Sequence, residues 1–397
     1  MLRETWGYPH FRTHQRRVVV AGLTGRDCLA VLPTGGGKSL CYQVPGLLLP
    51  GLTVVVSPLI SLMQDQVQAL RKRGVPAAYL SSTQTPTVRA AVWEAVRAGK
   101  VKLLYVAPER LQGLVDTPGL PPVRLLVVDE AHCISEWGHD FRPHYRAIGR
   151  HRRALGRPPT VALTATATPA TRAAIERVLG LRRPVRVVQS FDRPNLRFAV
   201  RRVETERERL ARAGRALRKV QESAIVYVPT RDRTDGVAAF LRQRGVPALP
   251  YHAGLPGRER KGLLKRFLDG RCRVMVATNA FGMGIDKPDV RLVAHLGVPP
   301  RPEAYFQEAG RAGRDGATAQ CALYWLPGDL VLTRHLAGVD RHGDGARPLQ
   351  AARRDGLETM RRYIGTRSCR RRLLLEYLGE HLERCAGCDR CGGVGAG

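Results

Sequence analysis

Leu29-Ala-Val-Leu-Pro-Thr-Gly-Gly-Gly-Lys-Ser39 joins a short apolar run to a glycine-rich loop. The apolar run predicts a buried strand and the residues after Ser39 favour a helix, which is the setting of a phosphate-binding loop. Glycines let backbone N–H groups close around phosphates, Lys38 can reach the β- and γ-phosphate oxygens, and Ser39 can offer its hydroxyl to Mg²⁺. The residues expected to hold the nucleotide are Thr34, Gly35, Gly37, Lys38 and Ser39.

A second apolar run, Leu125-Leu-Val-Val-Asp-Glu-Ala-His132, ends in two acids. Acids after a strand are common at protein surfaces, but their combination with the Lys38 loop favours a site for ATP hydrolysis. Asp129 at the strand tip can hold Mg²⁺ through water, while Glu130 can orient and deprotonate an attacking water. We therefore expect an ATP hydrolase with Lys38, Asp129 and Glu130 as catalytic residues.

Short β-branched runs alternate with helical stretches through most of the chain and predict buried parallel strands. They fall in two sets: residues 52–56, 102–106, 125–128 and 161–163, and then 224–228, 274–277 and 292–296. After residue 330 the strand pattern stops, and residues 353–363 and 369–382 favour helices. We predict two α/β domains, residues 1–192 and 193–330, followed by a small helical unit, residues 331–397, that ends in a flexible glycine-rich tail.

The 397 residues include 65 Lys and Arg against 34 Asp and Glu, which leaves a formal net charge of +31. Such an excess is typical of proteins that bind a polyanion such as nucleic acid. Compositional bias is the alternative, because only 8 of the basic residues are lysine. No apolar run approaches the roughly 18 residues of a membrane span, and the start lacks the apolar core of a signal peptide. We expect no membrane association and a cytoplasmic location.

Four of the nine cysteines lie together near the end of the sequence. Cys385-x-x-Cys388-x-x-Cys391 has the spacing of a metal-binding turn, and Cys369 precedes it across a stretch rich in Arg and Leu. Four thiolates suit a closed tetrahedral Zn²⁺ site. An iron–sulfur cluster or four unrelated thiols are the alternatives. The other five cysteines are expected to be buried thiols.

The Lys38 loop together with Asp129-Glu-Ala-His132 resembles the superfamily 2 helicases, and the flanking residues narrow the resemblance to the RecQ family of DNA helicases. Trp6-Gly-Tyr-Pro-His-Phe-Arg-Thr-His-Gln15 is similar to the adenine-recognition segment of that family. The resemblance implies that Tyr8 stacks on the base, that Gln15 binds its edge and that Arg12 assists. A side-chain amide suits this task because it can pair bidentately with adenine N6 and N7.

Cys133-Ile-Ser-Glu-Trp-Gly-His-Asp-Phe-Arg142 is similar to the aromatic-rich loop of RecQ proteins. Trp137 and Phe141 offer flat faces to single-stranded bases, and a base stacked on an aromatic ring gains roughly 1–3 kcal/mol. The alternative is that both rings are core residues. The resemblance implies that this loop, with Arg142 and His139, contacts DNA and makes hydrolysis depend on DNA binding.

Further matches to the RecQ family follow in order along the chain: residues 56–66, 107–111, 163–167, 227–231, 251–255, 277–288 and 307–316. The last of these, Gln307-Glu-Ala-Gly-Arg-Ala-Gly-Arg-Asp-Gly316, carries two arginines. An arginine supplied from a second domain can stabilise charge on the γ-phosphate. We assign this task to Arg314, with Arg311 as its companion. Pro229 departs from the family pattern, which has a small polar residue there.

The resemblance implies two tandem RecA-like motor domains and a helical zinc-binding subdomain in which Zn²⁺ is structural. It implies ATP and Mg²⁺ as cofactors, single-stranded and tailed duplex DNA as partners, and 3′ to 5′ helicase activity in DNA repair or recombination. A bacterial protein of this kind would be associated with the nucleoid. Because no winged-helix domain follows Cys391, the alternative is a translocase or annealing protein that unwinds weakly. An RNA helicase is disfavoured by the Trp137 loop and the cysteines.

Overall fold

Parallel strands separated by helices make up both halves of the chain. The computed structural model describes residues 2–33, 35–135, 142–282, 287–339, 347–385 and 387–392. The chain divides into two units, residues 1–190 and 191–397, and the segment after residue 330 belongs to the second. The separate third domain therefore stays a prediction.

The first unit is built on a seven-stranded parallel sheet in the order β3-β4-β2-β5-β6-β1-β7. Its strands are β1 (Cys28–Val31), β2 (Leu52–Val56), β3 (Ala77–Leu80), β4 (Leu103–Val106), β5 (Val123–Val128), β6 (Thr160–Thr164) and β7 (Val185–Val188). Its helices are α1 (Leu2–Trp6), α2 (Thr13–Leu23), α3 (Leu40–Leu48), α4 (Ile60–Lys72), α5 (Pro86–Arg97), α6 (Leu111–Val115), α7 (Pro143–Arg146), α8 (Ile148–Ala154) and α9 (Pro169–Leu179). Two 3₁₀ turns span Pro108–Arg110 and Ala131–Ile134.

The central strands of this sheet are apolar along their whole length because helices cover both faces. All residues of β1, β2, β4 and β6 are buried. The order of the strands brings the carboxyl ends of β1, β2, β5 and β6 to one edge of the sheet. In parallel α/β sheets this edge is where ligands bind. The strand order thus brings the Lys38 loop and the two acids to the same edge of the sheet, although they are far apart in the sequence.

The second unit contains a six-stranded parallel sheet in the order β10-β11-β9-β12-β13-β8. Its strands are β8 (Leu196–Arg202), β9 (Ser223–Tyr227), β10 (Ala248–Tyr251), β11 (Val274–Ala277), β12 (Val290–Leu296) and β13 (Ala319–Trp325). Its helices are α10 (Glu206–Arg218), α11 (Arg231–Gln243), α12 (Gly257–Leu268), α13 (Pro302–Ala309), α14 (Asp329–Leu336), α15 (Arg347–Gly365) and α16 (Arg370–Tyr377).

The two parallel sheets confirm the predicted α/β class. The seven predicted runs correspond to strands, whereas β3, β7, β8, β10 and β13 were not predicted. Four of these five are edge strands, which are less uniformly apolar: β8 carries three arginines and β10 contains Pro250. None of the helices described in the structure is long and apolar enough to cross a lipid bilayer.

The segment that carries the last three cysteines extends the edge of the second sheet. Cys388 pairs in parallel with Phe198 of β8, and the backbone N–H of Asp389 donates to the Phe198 carbonyl at 2.9 Å. The Asp389 carboxylate accepts from the backbone N–H of Val200 at 3.0 Å and forms a buried ion pair with Arg370. The cysteine segment is therefore part of the same hydrogen-bonded structure as β8.

Candidate functional site

The phosphate-binding loop leaves β1 at the carboxyl edge of the first sheet. The backbone N–H of Leu32 still bonds to the Thr164 carbonyl of β6 at 2.9 Å, which fixes where the loop begins. Gly35 and Gly37 have φ angles of +82° and +71°, a region in which a Cβ atom is strained. The Lys38 ammonium donates to the Leu32 carbonyl at 3.2 Å, so it lies over the loop. The helix predicted after Ser39 is α3.

Asp129 and Glu130 follow β5 at the same edge of the sheet. The backbone N–H of Asp129 donates to the Val56 carbonyl at 2.9 Å, and the Tyr145 hydroxyl donates to the Asp129 carbonyl at 2.9 Å. Burial, and then the neighbouring Glu130 carboxylate, raise the pKa of Asp129 to about 7, although Lys38 opposes them. Two adjacent carboxylates within the field of one lysine form a donor set that suits Mg²⁺.

Glu130 has a left-handed backbone with φ +46°. Such a conformation costs a residue other than glycine on the order of 1–3 kcal/mol and is found most often at functional sites. It turns the Glu130 side chain, which is buried, so that its carboxylate lies 3.3 Å from Nδ1 of His132. The strain thus accompanies a defined orientation of the carboxylate.

His132 was not among the predicted site residues, and the structure places it between Glu130 and β6. Its Nδ1 lies 2.8 Å from the Thr164 hydroxyl oxygen, and that hydroxyl donates to the Thr166 carbonyl at 3.1 Å. Because Thr164 uses its proton there, we assign the imidazole proton to Nδ1. Burial, followed by the charges of Lys38 and Arg142, lowers the pKa of His132 to about 3, so the ring is neutral. The sequence feature that could have identified His132 is its position at the end of the motif Asp129-Glu-Ala-His132.

The start of α2 packs against the phosphate-binding loop through Gln15. The Gln15 side-chain oxygen accepts from the backbone N–H of Arg12 at 2.9 Å, which caps the helix. Its amide nitrogen donates to the Gly36 and Gly37 carbonyls at 3.3 and 3.4 Å. A Cβ atom on Gly37 would collide with this amide. Recognition of adenine by Gln15 stays a prediction. It would require the amide to replace its bonds to the loop carbonyls with bonds to the base.

Arg12 and His14 make two further contacts with the same loop. The Arg12 guanidinium donates to the Gly35 carbonyl at 3.3 Å, and His14 Nε2 lies 3.1 Å from the Gly36 carbonyl oxygen. His14 was not predicted as a site residue. Tyr8 leaves 53% of its surface exposed, so its ring is accessible for stacking. The base contact itself stays a prediction.

Arg142 closes the base of the aromatic-rich loop. Its backbone N–H donates to the Cys133 carbonyl at 3.0 Å, and its guanidinium donates to the Pro58 carbonyl at 2.8 Å. These bonds connect the end of the loop to the chain after Glu130 and to the predicted segment 56–66. Four residues that were predicted to function lie outside the described residues: Thr34, Trp137, His139 and Phe141.

Arg311 and Arg314 lie on the turn that follows α13 in the second unit. Only 4% of the Arg311 surface is exposed, and its backbone N–H donates to the Glu308 carbonyl at 3.2 Å. Gly313, between the arginines, has φ +53° and donates its N–H to the Val290 carbonyl at 2.8 Å. The catalytic roles of both arginines stay predictions.

Cys369, Cys385, Cys388 and Cys391 come together as one cluster in the second unit. Their four sulfur atoms all lie within 4.8 Å of one another. Tetrahedral bonds of about 2.3 Å to one Zn²⁺ would space the sulfur atoms about 3.8 Å apart, so the cluster fits the ion after slight closure. Burial opposes ionisation of Cys388, but backbone N–H groups of Arg390, Arg370 and Cys391 lower its pKa to about 7. The five remaining cysteines are buried, as predicted.

Three protein families match successive parts of the chain. Residues 12–175 match the DEAD/DEAH box helicases, and residues 208–316 match the helicase conserved C-terminal domain. Residues 327–392 match the RecQ zinc-binding family. The three matches follow the order of the predicted motifs.

Two relatives and one solved structure illustrate these similarities. The chain is 41% identical to the ATP-dependent DNA helicase RecQ of Pasteurella multocida over 394 residues, which cover 98% of the chain and 61% of the relative. It is 45% identical to the ATP-dependent DNA helicase RecQ of Synechocystis sp. over 329 residues, 81% of the chain and 69% of the relative. The DUF1998 helicase MrfA bound to DNA and AMPPNP superposes with a TM-score of 0.68 at 21% identity, over 81% of this chain and 49% of that one, which shows a shared fold. The chain thus spans about 61% of the length of the Pasteurella protein.

Proposed function

The chain belongs to the RecQ family of DNA helicases, and on this basis we propose that it is an ATP-dependent DNA helicase that moves 3′ to 5′ along single-stranded DNA. We further propose that it unwinds tailed duplexes in DNA repair or recombination. The observation that carries the proposal is the convergence of Lys38, Asp129 and Glu130 at one edge of the first sheet. A protein that only bound DNA, without hydrolysing ATP, would require none of these three side chains.

In this proposal the first unit binds ATP and activates the attacking water. Backbone N–H groups of the phosphate-binding loop and the Lys38 ammonium hold the phosphates. Mg²⁺, when bound by Ser39 and Asp129, would neutralise charge on the β- and γ-phosphate oxygens. Glu130 orients the water and accepts its proton as the water oxygen attacks the γ-phosphorus, while the bond from that phosphorus to the bridging oxygen breaks and ADP leaves. Neutral His132 donates from Nδ1 to the Thr164 hydroxyl and packs its ring edge 3.3 Å from the Glu130 carboxylate, which limits the movement of that carboxylate.

The two arginines of the second unit are proposed to complete hydrolysis. Arg314 stabilises the charge that develops on the γ-phosphate, and Arg311 supports it. Hydrolysis would then depend on both units, which is how an ATPase can be coupled to movement. The buried position of Arg311 supports a fixed rather than a solvated side chain.

DNA contacts are proposed for Trp137, His139, Phe141 and Arg142. The bond from Arg142 to the Pro58 carbonyl supports a role in coupling, because it connects the end of this loop to segment 56–66, another match to the RecQ family. The bond between Arg142 and Cys133 supports the same role, because Cys133 follows Glu130 closely in the sequence.

Zn²⁺ is proposed as a structural ion held by Cys369, Cys385, Cys388 and Cys391. The spacing of their sulfur atoms supports a single tetrahedral ion. The pairing of Cys388 with β8 supports a structural role, since the ion would fix a segment that belongs to the sheet edge.

The test combines an ATPase assay with a strand-displacement assay on a duplex that carries a 3′ tail. ATP hydrolysis should be stimulated by single-stranded DNA more than by duplex DNA or RNA, and the tailed duplex should be unwound. Lys38→Ala serves as the inactive control. Absence of stimulation by DNA would refute the proposal, whereas stimulation without displacement would favour the weakly unwinding translocase.

A further inference from the structure

A buried cluster of aromatic and ionisable side chains supports the turn that carries Arg311. Tyr227 ends β9, and His295 lies directly opposite it in the register of the neighbouring strand β12. Tyr227 and His295 leave 4% and 2% of their surfaces exposed. Glu308 lies in the last turn of α13, and Arg311 lies on the turn that follows this helix. The four residues come from three separate elements of the second unit.

The Tyr227 hydroxyl bonds to the loop after β11 and lies within the electrostatic influence of Arg311. It donates to the Phe281 carbonyl at 2.8 Å, and the charge of the Arg311 guanidinium opposes the rise that burial causes in the pKa of Tyr227. Because its proton goes to Phe281, its oxygen can accept from an N–H group of Arg311. Burial raises the pKa of Tyr227, so the hydroxyl remains protonated and keeps donating to Phe281.

His295 holds Tyr227 from one side and the end of α13 from the other. Its ring stacks on the Tyr227 ring with centroids 5.2 Å apart and planes 21° apart. Its Nε2 lies 2.8 Å from Glu308 Oε2, and the Glu308 carbonyl accepts from the backbone N–H of Arg311 at 3.2 Å. Tyr305 packs edge-on against the imidazole at a centroid distance of 4.9 Å. Rotation of the imidazole would therefore disturb both Tyr227 and the Arg311 turn.

The Arg311 guanidinium is also confined by the backbone of the loop after β11. A Cβ atom on Gly282 would lie 3.3 Å from Arg311 Nη2, so the guanidinium packs directly against the backbone at Gly282. An arginine side chain has many rotamers in solution, and its orientation here is restricted before any ligand binds. Such preorganisation lowers the barrier of a reaction that needs a charge at one position.

We propose that Tyr227 and His295 are positioning residues that hold the Arg311 guanidinium in the orientation required for ATP hydrolysis. The proposal rests on the role of Arg311 in hydrolysis that is put forward above. Tyr227 acts through its hydroxyl, and His295 acts through the Tyr227 ring and the Glu308 carboxylate. Their loss should lower the rate of the chemical step and leave ATP binding by the first unit unchanged.

The first test compares kcat and KM for ATP at saturating single-stranded DNA. Tyr227→Phe keeps the stacked ring but removes the hydroxyl, and we expect kcat to fall about tenfold with KM unchanged, as for the loss of one hydrogen bond in the transition state. Tyr324→Phe is the matched control, because Tyr324 is a buried tyrosine of the same sheet whose hydroxyl makes no hydrogen bond within the described part of the chain. An equal fall of kcat in both variants, or none in Tyr227→Phe, would overturn the proposal.

A second pair of variants tests His295. His295→Leu removes the bond to Glu308 and should also lower kcat. His295→Gln can place a side-chain amide N–H near the position of Nε2 and should restore most of the lost kcat. Thermal unfolding and the affinity of a fluorescent ATP analogue identify a folding defect. A loss that is the same in both His295 variants would contradict a positioning role.

A double-mutant cycle separates this proposal from the proposed function. Arg311→Ala should lower kcat on the order of a hundredfold, and adding Tyr227→Phe should cause no further loss, since its effect acts through Arg311. Independent, additive losses would overturn the positioning role. If Arg311→Ala retains full kcat, the role of Arg311 in the proposed function fails instead. If only Arg311→Ala lowers kcat, the positioning role fails and the proposed function stands.

Discussion

Asp129 is a catalytic candidate whose titration is changed by the fold. Burial and the adjacent Glu130 raise its pKa to about 7. A carboxyl whose pKa is higher in the folded than in the unfolded state favours folding when it is protonated. Its contribution to stability is therefore present below the unfolded pKa of about 4 and is lost as the pH rises towards 7. A bound divalent cation would offset this loss.

The first prediction follows from this loss of stability with rising pH. Asp129→Asn removes a charge that the folded protein disfavours, so the variant without Mg²⁺ should gain thermal stability relative to the unmodified protein as the pH rises from about 5 to about 8. The same variant should lose ATPase activity. Melting temperatures measured across this range provide the test, with the exposed Asp116→Asn as the control. A stability difference that does not change with pH would contradict the raised pKa.

Glu130 and His132 have properties in the folded protein that their residue types do not reveal. The sequence marked Glu130 as an acid after a strand, but its left-handed backbone is a property of the folded turn. From its residue type alone, His132 would be expected to act as a general acid or base. Burial instead makes it a neutral donor between Glu130 and Thr164. Its role depends on the strand β6, which comes from a distant part of the chain.

At the scale of elements, the phosphate-binding loop and the start of α2 form one packed structure. Gln15 bonds to the carbonyls of two loop glycines, and the Gly37 Cα faces its amide. We predict that Gly37→Ala weakens nucleotide binding, because φ +71° disfavours alanine and because the Gln15 amide would have to leave the loop carbonyls to make room for the Cβ atom. Gly113→Ala in α6 is the control, since open space surrounds that position.

Binding of a fluorescent ATP analogue measures both glycine variants. Gly113→Ala should bind as the unmodified protein does and should be equally or slightly more stable, because alanine favours a helix by about 1 kcal/mol over glycine. Normal nucleotide affinity in Gly37→Ala would show that the loop can shift away from α2, which would contradict the close packing described here.

The edge of the second sheet depends on Asp389, which lies between two of the cluster cysteines. Its carboxylate and the Arg370 side chain expose only 6% and 1% of their surfaces. Breaking a buried ion pair by removing one partner costs about 3–5 kcal/mol, because the other charge remains buried. We predict that Asp389→Ala lowers the free energy of unfolding of the second unit by about 3 kcal/mol.

Chemical denaturation provides the measurement for Asp389→Ala. Glu358→Ala is its control, since the pair between Glu358 and Arg361 lies at the surface, where ion pairs contribute little to stability. Equal effects of the two substitutions would mean that Asp389 does not hold the cysteine segment on β8.

At the scale of the whole molecule, some of the many arginines have a structural task. Four of the buried arginines each pair with an aspartate: Arg152 with Asp27, Arg209 with Asp329, Arg370 with Asp389 and Arg371 with Asp192. Compositional bias towards arginine therefore does not explain every basic residue. These four are not available to a polyanion. Because each pair is neutral, the net charge of +31 is carried by the other residues.

The two units should respond differently to loss of the metal. Cys388→Ser removes a ligand from a segment that bonds to β8, so we predict a lower melting temperature and faster hydrogen exchange in residues 191–397. Exchange in residues 1–190 and the affinity for nucleotide should remain unchanged. Metal analysis should find one Zn²⁺ per folded chain of the unmodified protein. Less than one in a folded preparation would contradict the structural role of the ion.

Much of the candidate site could be predicted because its functional residues occur in short sequence motifs. The Lys38 loop, the acids after β5, the two arginines and the cysteine spacing each lie within a few residues of one another. The strand runs were visible because buried parallel strands are continuously apolar. The edge strands β3, β7, β8 and β10 were missed since charge, proline or short length weakens that pattern.

The amino-acid sequence by itself determined the α/β class, the order of the motifs and the residue types available for phosphate, water activation and metal binding. Only the tertiary structure decided which of these residues meet. It placed Gln15 on the loop glycines, His132 between Glu130 and Thr164, Tyr227 and His295 beneath Arg311, and Asp389 on β8. The physical reason is that composition and spacing act locally along the chain. Hydrogen bonds between distant residues depend instead on strand order, register and burial, which arise from packing of the whole unit.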